Sequence, residues 1–228
     1  YLPLVQAQSF PSYGIIHNST TTANQTIALG VNPAGHLNTP TGSGTTANNA
    51  NTLNSSPPGS VGTAYKWIGG KNASGGGTNY PAGWYDGTSP GSKWEGWGVS
   101  GTLPVSGKPI SGYASVDAGG ISSNITVKSF VVDATSIKST VWISDPADPT
   151  KAPLLEVTHV YGPTSGATNP YLFQALVTIT NISGGTLTDV RYRRIMDWDI
   201  LNNLTTVYTD MLGVAASYAS AYTPKVFD

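Results

Sequence analysis

Cysteine is absent from the 228 residues, and charge is scarce, with 11 basic and 12 acidic side chains giving a formal net charge of −1. The missing thiols exclude a disulfide framework and thiolate metal sites, and they leave export open. Charged residues are 10% of the chain, against about 25% in an average soluble domain. Nucleic-acid binding needs clustered cations to track phosphates. Here the only arginines are Arg191, Arg193 and Arg194, too small a patch, so nucleic acid is excluded as a partner. Two glutamates and eight lysines are too few strong helix formers for a helical bundle. No apolar run approaches the roughly 18 residues of a spanning helix, so no membrane span is expected.

What is abundant is neutral and polar. Thr, Ser, Gly, Asn and Pro together make 110 of the 228 residues, the palette of strands, turns and loops. The length allows one or two domains, with a core that buries roughly 70–75% of the extended-chain surface. Residues 1–17 read as an N-terminal extended segment in which Leu2, Leu4, Val5, Ala7 and Phe10 are apolar and no residue is charged up to Phe10. Val5-Gln6-Ala7 resembles the small-residue end of an export signal, although a basic region before it is lacking. Residues 18–228 read as one β-sandwich domain with long loops in 32–120, and the Thr-, Asn-, Ser- and Gly-rich stretch 18–63 holds one short apolar island at 27–31.

Clear strand patterns begin after residue 120. Runs at 125–133, 137–144 and 154–161 are rich in β-branched residues. In 172–182, Phe173, Ala175, Val177 and Ile179 alternate with polar residues, as in a half-buried antiparallel strand. Gly184 and Gly185 then supply a turn, and 187–200 is expected to return as the hairpin partner. In that partner Tyr192, Met196, Trp198 and Ile200 share one parity, while Arg191, Arg193, Asp197 and Asp199 share the other. A further strand is expected at 205–211, and 215–222 is the one helix candidate. Short strands separated by Gly, Pro and Asn turns predict an all-β, antiparallel sandwich of immunoglobulin or jelly-roll type.

Familiar catalytic patterns fail on chemistry. Gly96-Trp-Gly98-Val-Ser-Gly101 matches the dinucleotide fingerprint, which needs a following helix to hold pyrophosphate. Pro104 and Pro109 follow instead. Gly87-Thr-Ser89-Pro-Gly91 matches a hydrolase elbow, yet Pro90 lacks the N–H that would donate to an oxyanion. His17, His36 and His159 are widely separated and form no helical metal pair. Glu95 and Glu156 are the only glutamates, and a glycosidase would need them brought together across a sugar. Asp197 and Asp199 are candidate calcium carboxylates, with pairing to Arg191 or Arg193 as the competing reading. No other metal or cofactor is expected.

Two features point outward. Trp67, Trp84, Tyr85, Trp94 and Trp97 lie in a Gly-rich aromatic window, 65–98, which suits either a sugar-stacking platform or core and interface packing. N-glycosylation sequons stand at Asn18, Asn24, Asn54, Asn72, Asn124, Asn181 and Asn203, where Ser and Thr content alone would place about 3.4. The excess points to an exported glycoprotein.

Several passages carry a resemblance: Leu29-Gly-Val-Asn-Pro-Ala-Gly-His-Leu-Asn38, Trp94-Glu-Gly-Trp-Gly-Val99, Ser122-Ser-Asn-Ile-Thr-Val-Lys-Ser-Phe130, Leu155-Glu-Val-Thr-His159 and Ile195-Met-Asp-Trp-Asp199. Their order resembles a family of uncharacterised, exported bacterial β-rich surface proteins, many with a C-terminal sorting segment. The resemblance implies export and a β fold, and it carries no established activity. The expectation is a non-enzymatic extracellular protein at the cell surface. It would assemble with copies of itself into a filament or surface layer, through donor-strand exchange by the N-terminal segment. The alternative is a carbohydrate-binding or adhesive module built on the 65–98 aromatics.

Overall fold

The computed structural model describes residues 10–39, 61–67, 70–71, 79–80, 82–88, 95–103, 106–116, 121–145, 147, 152–164 and 172–196. These residues form β1 (Gly14–His17), β2 (Ile27–Val31), β3 (Thr63–Trp67), β4 (Gly70–Lys71), β5 (Asn79–Tyr80), β6 (Gly83–Asp86), β7 (Glu95–Leu103), β8 (Lys108–Val116), β9 (Ile121–Ser123), β10 (Ile125–Val132), β11 (Ile137–Ile143), β12 (Leu155–Pro163), β13 (Phe173–Asn181) and β14 (Thr188–Met196). Among the described residues the only helical piece is a 3-10 turn at Thr22–Asn24. The fold is all-β and every strand pairing is antiparallel.

Three four-stranded sheets run in the orders β1-β2-β3-β6, β14-β7-β8-β9 and β10-β11-β12-β13, and β4 and β5 make a separate ribbon. The β10–β13 sheet is the common layer. Period-2 alternation turns Val141, Ile143, Leu155 and Val157 toward Trp97, Val99, Ile110 and Ala114 of β7 and β8, forming one core. At the other end of the same face, Phe130, Ile137 and Tyr161 pack on Ile16, Leu29, Val31 and Leu37, forming a second. A bulge between Val127 and Ser129 resets the parity of β10, so Val127 and Phe130 both reach the interior. The result is a sandwich in which one sheet is faced by two others.

Two expectations are corrected. β13 and β14 are not a hairpin, because β13 pairs with β12 and β14 pairs with β7. The chain turns at positive-φ Gly184 and crosses from one layer to the other. Asn181 and Ser183 hold that turn through hydrogen bonds involving the Gly185 carbonyl. Turn residues specify a reversal of direction, and they say nothing about whether the two strands share a sheet. The second concerns 32–120, read as carrying long loops, which also contains β3 to β8 and supplies two of the four strands in each of two sheets. The strand expected at 205–211 and the helix at 215–222 lie outside the described residues.

Candidate functional site

Between the two apolar cores, the inner face of the β10–β13 sheet carries polar side chains. Ser139 and His159 are directly opposed across β11 and β12, and both are fully buried. Buried polar groups persist when they are hydrogen-bonded, and here the partner is the segment 32–38, which leaves β2 and lies across the seam. The Ser139 hydroxyl donates to the Pro33 carbonyl at 2.7 Å, and Trp97 Nε1 donates to the Ala34 carbonyl at 2.9 Å. The Tyr161 hydroxyl donates to the Gly35 carbonyl at 2.6 Å. Three consecutive carbonyl oxygens of this non-strand segment, half-buried at Pro33 and Ala34 and buried at Gly35, thus accept hydrogen bonds from side chains of three strands.

Gly35 is required on two counts. Its φ is +83°, and a Cβ there would meet His159 Nδ1 at 2.7 Å. The far end of the segment is tied by Asp86, whose carboxylate accepts from the N–H groups of Gly62 and Thr88, while Thr88 reaches Asn38. Asp86 is therefore a structural anchor.

Charge enters the seam from β7 and β14. Arg194 Nη2 lies 2.6 Å from Glu95 Oε1, with the arginine side chain 19% exposed and the glutamate fully buried. The contact is an ion pair without the alignment of a hydrogen bond. Glu95 Oε2 accepts from the Leu37 N–H at 2.5 Å, and Arg194 Nη1 donates to the Tyr161 hydroxyl at 2.6 Å. That hydroxyl therefore both receives and gives. Burial pushes the Glu95 carboxyl upward against the pull of Arg194 and the Leu37 N–H. Neighbouring oxygens of Tyr161 and Glu95 outweigh burial at Arg194 and hold it cationic.

The two histidines beside this pair are neutral. Burial, with Arg194 adding to it, lowers His159 to about 3. His36 falls to about 4, again chiefly through burial, with the Leu37 carbonyl opposing and Arg194 assisting. His159 Nε2 lies 3.1 Å from the Tyr192 hydroxyl, and its ring tilts against Trp97 at a 4.7 Å centroid distance. Chemically the seam is a lock, in which a loop, an ion pair and two rings close the joint between cores.

The glycosidase pairing does not form. Glu95 faces the seam, whereas Glu156 lies on the opposite, outer face of β12, held by Lys128 Nζ at 2.6 Å and Trp142 Nε1 at 2.9 Å. Those two donors, Lys128 first, keep its carboxyl below the usual range. Gly96 to Gly101 lies within β7, so the fingerprint glycines are strand residues. Among the described residues no group of three His, Cys, Asp or Glu is placed to hold a metal. Asp197 and Asp199 lie outside the described residues.

Of the aromatic window, Trp84, Tyr85 and Trp97 are buried, 2–5% exposed, so they cannot form a surface platform. Trp67 ends β3, its side chain outside the description, and Trp94 lies outside the described residues. Of the sequon asparagines, Asn54, Asn72 and Asn203 also fall outside. Asn24 is exposed on the 3-10 turn. Asn18 donates its amide to Thr26, Asn181 to Gly185, and Asn124 donates both amide hydrogens, to Ser111 and Ser144. A glycan leaves an asparagine one amide hydrogen, so Asn124 must lose a bond to carry one. Leu2, Leu4, Val5 and Ala7 lie outside the described residues, while Phe10 is half-buried against the second core.

Sequence reasoning missed Arg194. Its parity is that of Tyr192 and Met196, the inward side, and only Glu95 on a different strand explains a cation there. The passages that carry the resemblance, 29–38, 94–99, 155–159 and the neighbourhood of 195, meet around this seam. Compared with known proteins, the chain matches no family model, no curated protein and no solved structure.

Proposed function

We propose that the protein is a non-enzymatic, exported β-sandwich subunit that assembles with copies of itself by strand addition, and that β13 is the accepting edge. The observation that carries this reading is the character of that strand. β13 ends its sheet, runs nine residues as Phe-Gln-Ala-Leu-Val-Thr-Ile-Thr-Asn, and contains no charge and no proline. Charges, prolines and bulges are the usual means of blunting an edge.

The backbone polarity of the edge follows from two hydrogen bonds. Ile182 N–H donates to Leu154, and Thr164 N–H donates to Leu172. With the β12–β13 register, even-numbered residues of β13 face β12. The N–H and C=O groups of Phe173, Ala175, Val177 and Ile179 therefore point away from the sheet. Among the described residues no strand meets them. A nine-residue edge spans roughly 30 Å, and residues 1–9, fully extended, span about the same. The first described residue, Phe10, packs in the same cluster as Phe173, the first residue of β13. This supports the N-terminal segment as the donor strand.

The test is Ala175→Pro. Its N–H points outward, so proline removes a donor from the edge and spares the ladder to β12. Wild-type protein is expected to polymerise in negative-stain images and sedimentation, with Ala175→Pro folded and monomeric. Deleting residues 1–9 is expected to do the same. A wild-type chain that stays monomeric at high concentration would sink the reading.

A further inference from the structure

The outer face of the β14-β7-β8 part of the sheet holds an open trough of about 270 Å³. Its floor is Gly96 and Gly98, neighbouring outward positions on the central strand β7. Its walls follow from register: Ile195 and Ser115 flank Gly96, and Arg193 and Tyr113 flank Gly98. Two cross-strand spacings put the walls about 10 Å apart before side-chain thickness is subtracted, a width for one ring. The volume lies just below the ~300–1,000 Å³ of drug-sized ligand pockets, which suits a single ring.

Glycine inside a strand marks either local packing or close approach of another group, and the two glycines differ. A Cβ at Gly96 would meet Ser115 Cβ at 2.5 Å, so this glycine is held by packing. At Gly98 the nearest atom among the described residues is 3.6 Å away. Among those residues nothing forbids a side chain there, and the effect of its absence is the trough.

The walls state what would fit. Tyr113 is 43% exposed and offers an aromatic face, and Ile195, 54% exposed, offers an apolar one. Arg193 has no acidic partner among the described residues, whereas Arg191, its neighbour along the outer face, is paired with Asp189 at 2.8 Å. Ser115 adds a hydroxyl. A ring with an apolar face, hydroxyls and one carboxylate satisfies all four groups.

We propose that this trough binds a hexuronate unit of an acidic polysaccharide, with the ring on Gly98 against Tyr113 and its carboxylate on Arg193. This places saccharide recognition on a different surface from the buried 65–98 aromatics. The experiment is calorimetric titration of the folded chain with a galacturonate trisaccharide and with its methyl ester, which keeps the rings and removes the charge. The acid is expected to bind saturably, and the ester at least tenfold more weakly. Arg193→Gln should cost at least tenfold and Gly98→Leu should abolish binding. Tyr113→Ala, an exposed substitution, is expected to weaken binding even if Gly98→Leu fails to fold. No saturable binding by wild type, equal binding of acid and ester, or binding unchanged in a folded Gly98→Leu variant would each overturn the proposal. The trough and the β13 edge are on different sheets, so Ala175→Pro is expected to bind as wild type does.

Discussion

β13 and β14 are consecutive, nine residues each, and each ends a sheet. They manage that position in opposite ways. β14 carries Asp189, Arg191, Arg193 and Arg194, and its pairing with β7 is shifted between Thr188 and Arg191, with Asp189 at φ +52°. Charge and irregularity make it a poor template for another strand. β13 has a continuous register and no charge. The scarcity of charge across the chain is therefore not uniform: all three arginines and one aspartate stand on one edge strand, and the other is left bare.

β14 also turns inward what an edge strand usually turns outward, and the largest expected effect tests this. Arg194→Met removes the cation from a fully buried carboxylate, a change that costs about 3–5 kcal/mol when one partner of a buried pair is lost. Glu95 can relieve part of that by protonating, which sets the pH dependence. A carboxyl raised in the folded state contributes stability below its unfolded value, near 4.5, and loses it as pH rises through the folded value. Chemical denaturation of Arg194→Met is expected to show stability falling, relative to wild type, as pH rises above the unfolded value of about 4.5. A flat difference would mean that the pair is replaced by water.

The next effect concerns the rings beside the pair. His159 and His36 have folded values of about 3 and about 4, against 6.5 unfolded. Below pH 6.5 the unfolded chain takes up protons that the folded chain refuses, so wild-type stability falls with acid. Each histidine contributes a slope of about 1.4 kcal/mol per pH unit until its folded value is reached. His159→Phe keeps a ring against Trp97 and removes one titration. The loss between pH 6.5 and 4 is then expected to shrink by up to about 3 kcal/mol, read from denaturation midpoints. An unchanged profile would show that His159 titrates alike in the folded and unfolded chain, against the lowered folded value.

Legibility in the sequence divides along the same lines. β10 to β13 were readable within a residue or two because β-branched residues alternate with polar ones. β7 was not. In Glu-Gly-Trp-Gly-Val-Ser-Gly-Thr-Leu the inward positions begin with a glutamate and the outward ones with glycines, which reverses the usual signs and imitates a nucleotide fingerprint. The seam was illegible for a related reason: Glu95, Arg194, His159 and Tyr161 come from three strands far apart in sequence, β7, β14 and β12, and none of them alone points to the others. The Gly184 turn was visible, but the crossing between layers depends on which strand had already taken the place beside β12. The aromatics of the 65–98 window were read as core or platform, and burial decides for core at Trp84, Tyr85 and Trp97.

The smallest expected effect on stability sharpens the edge comparison most. Leu176, 61% exposed, is the most exposed large hydrophobic residue of β13, and it sits opposite Val160, with Lys138 beyond in the same row. Leu176→Lys buries nothing new, and Lys138 is about 10 Å away across two strand spacings, near the screening length of physiological salt. Folding stability is then expected to move by less than about 0.5 kcal/mol. The same lysine puts a charge on an edge that has none, and charge on an edge strand opposes further pairing. Polymer is expected to disappear in sedimentation while the melting temperature stays put. Val190→Lys makes the matching change at an exposed position of β14, whose edge is already charged, and it should leave assembly as it was. If both lysines acted alike, the effect would belong to net charge rather than to the β13 edge, and the contrast between the two strands would lose its functional meaning.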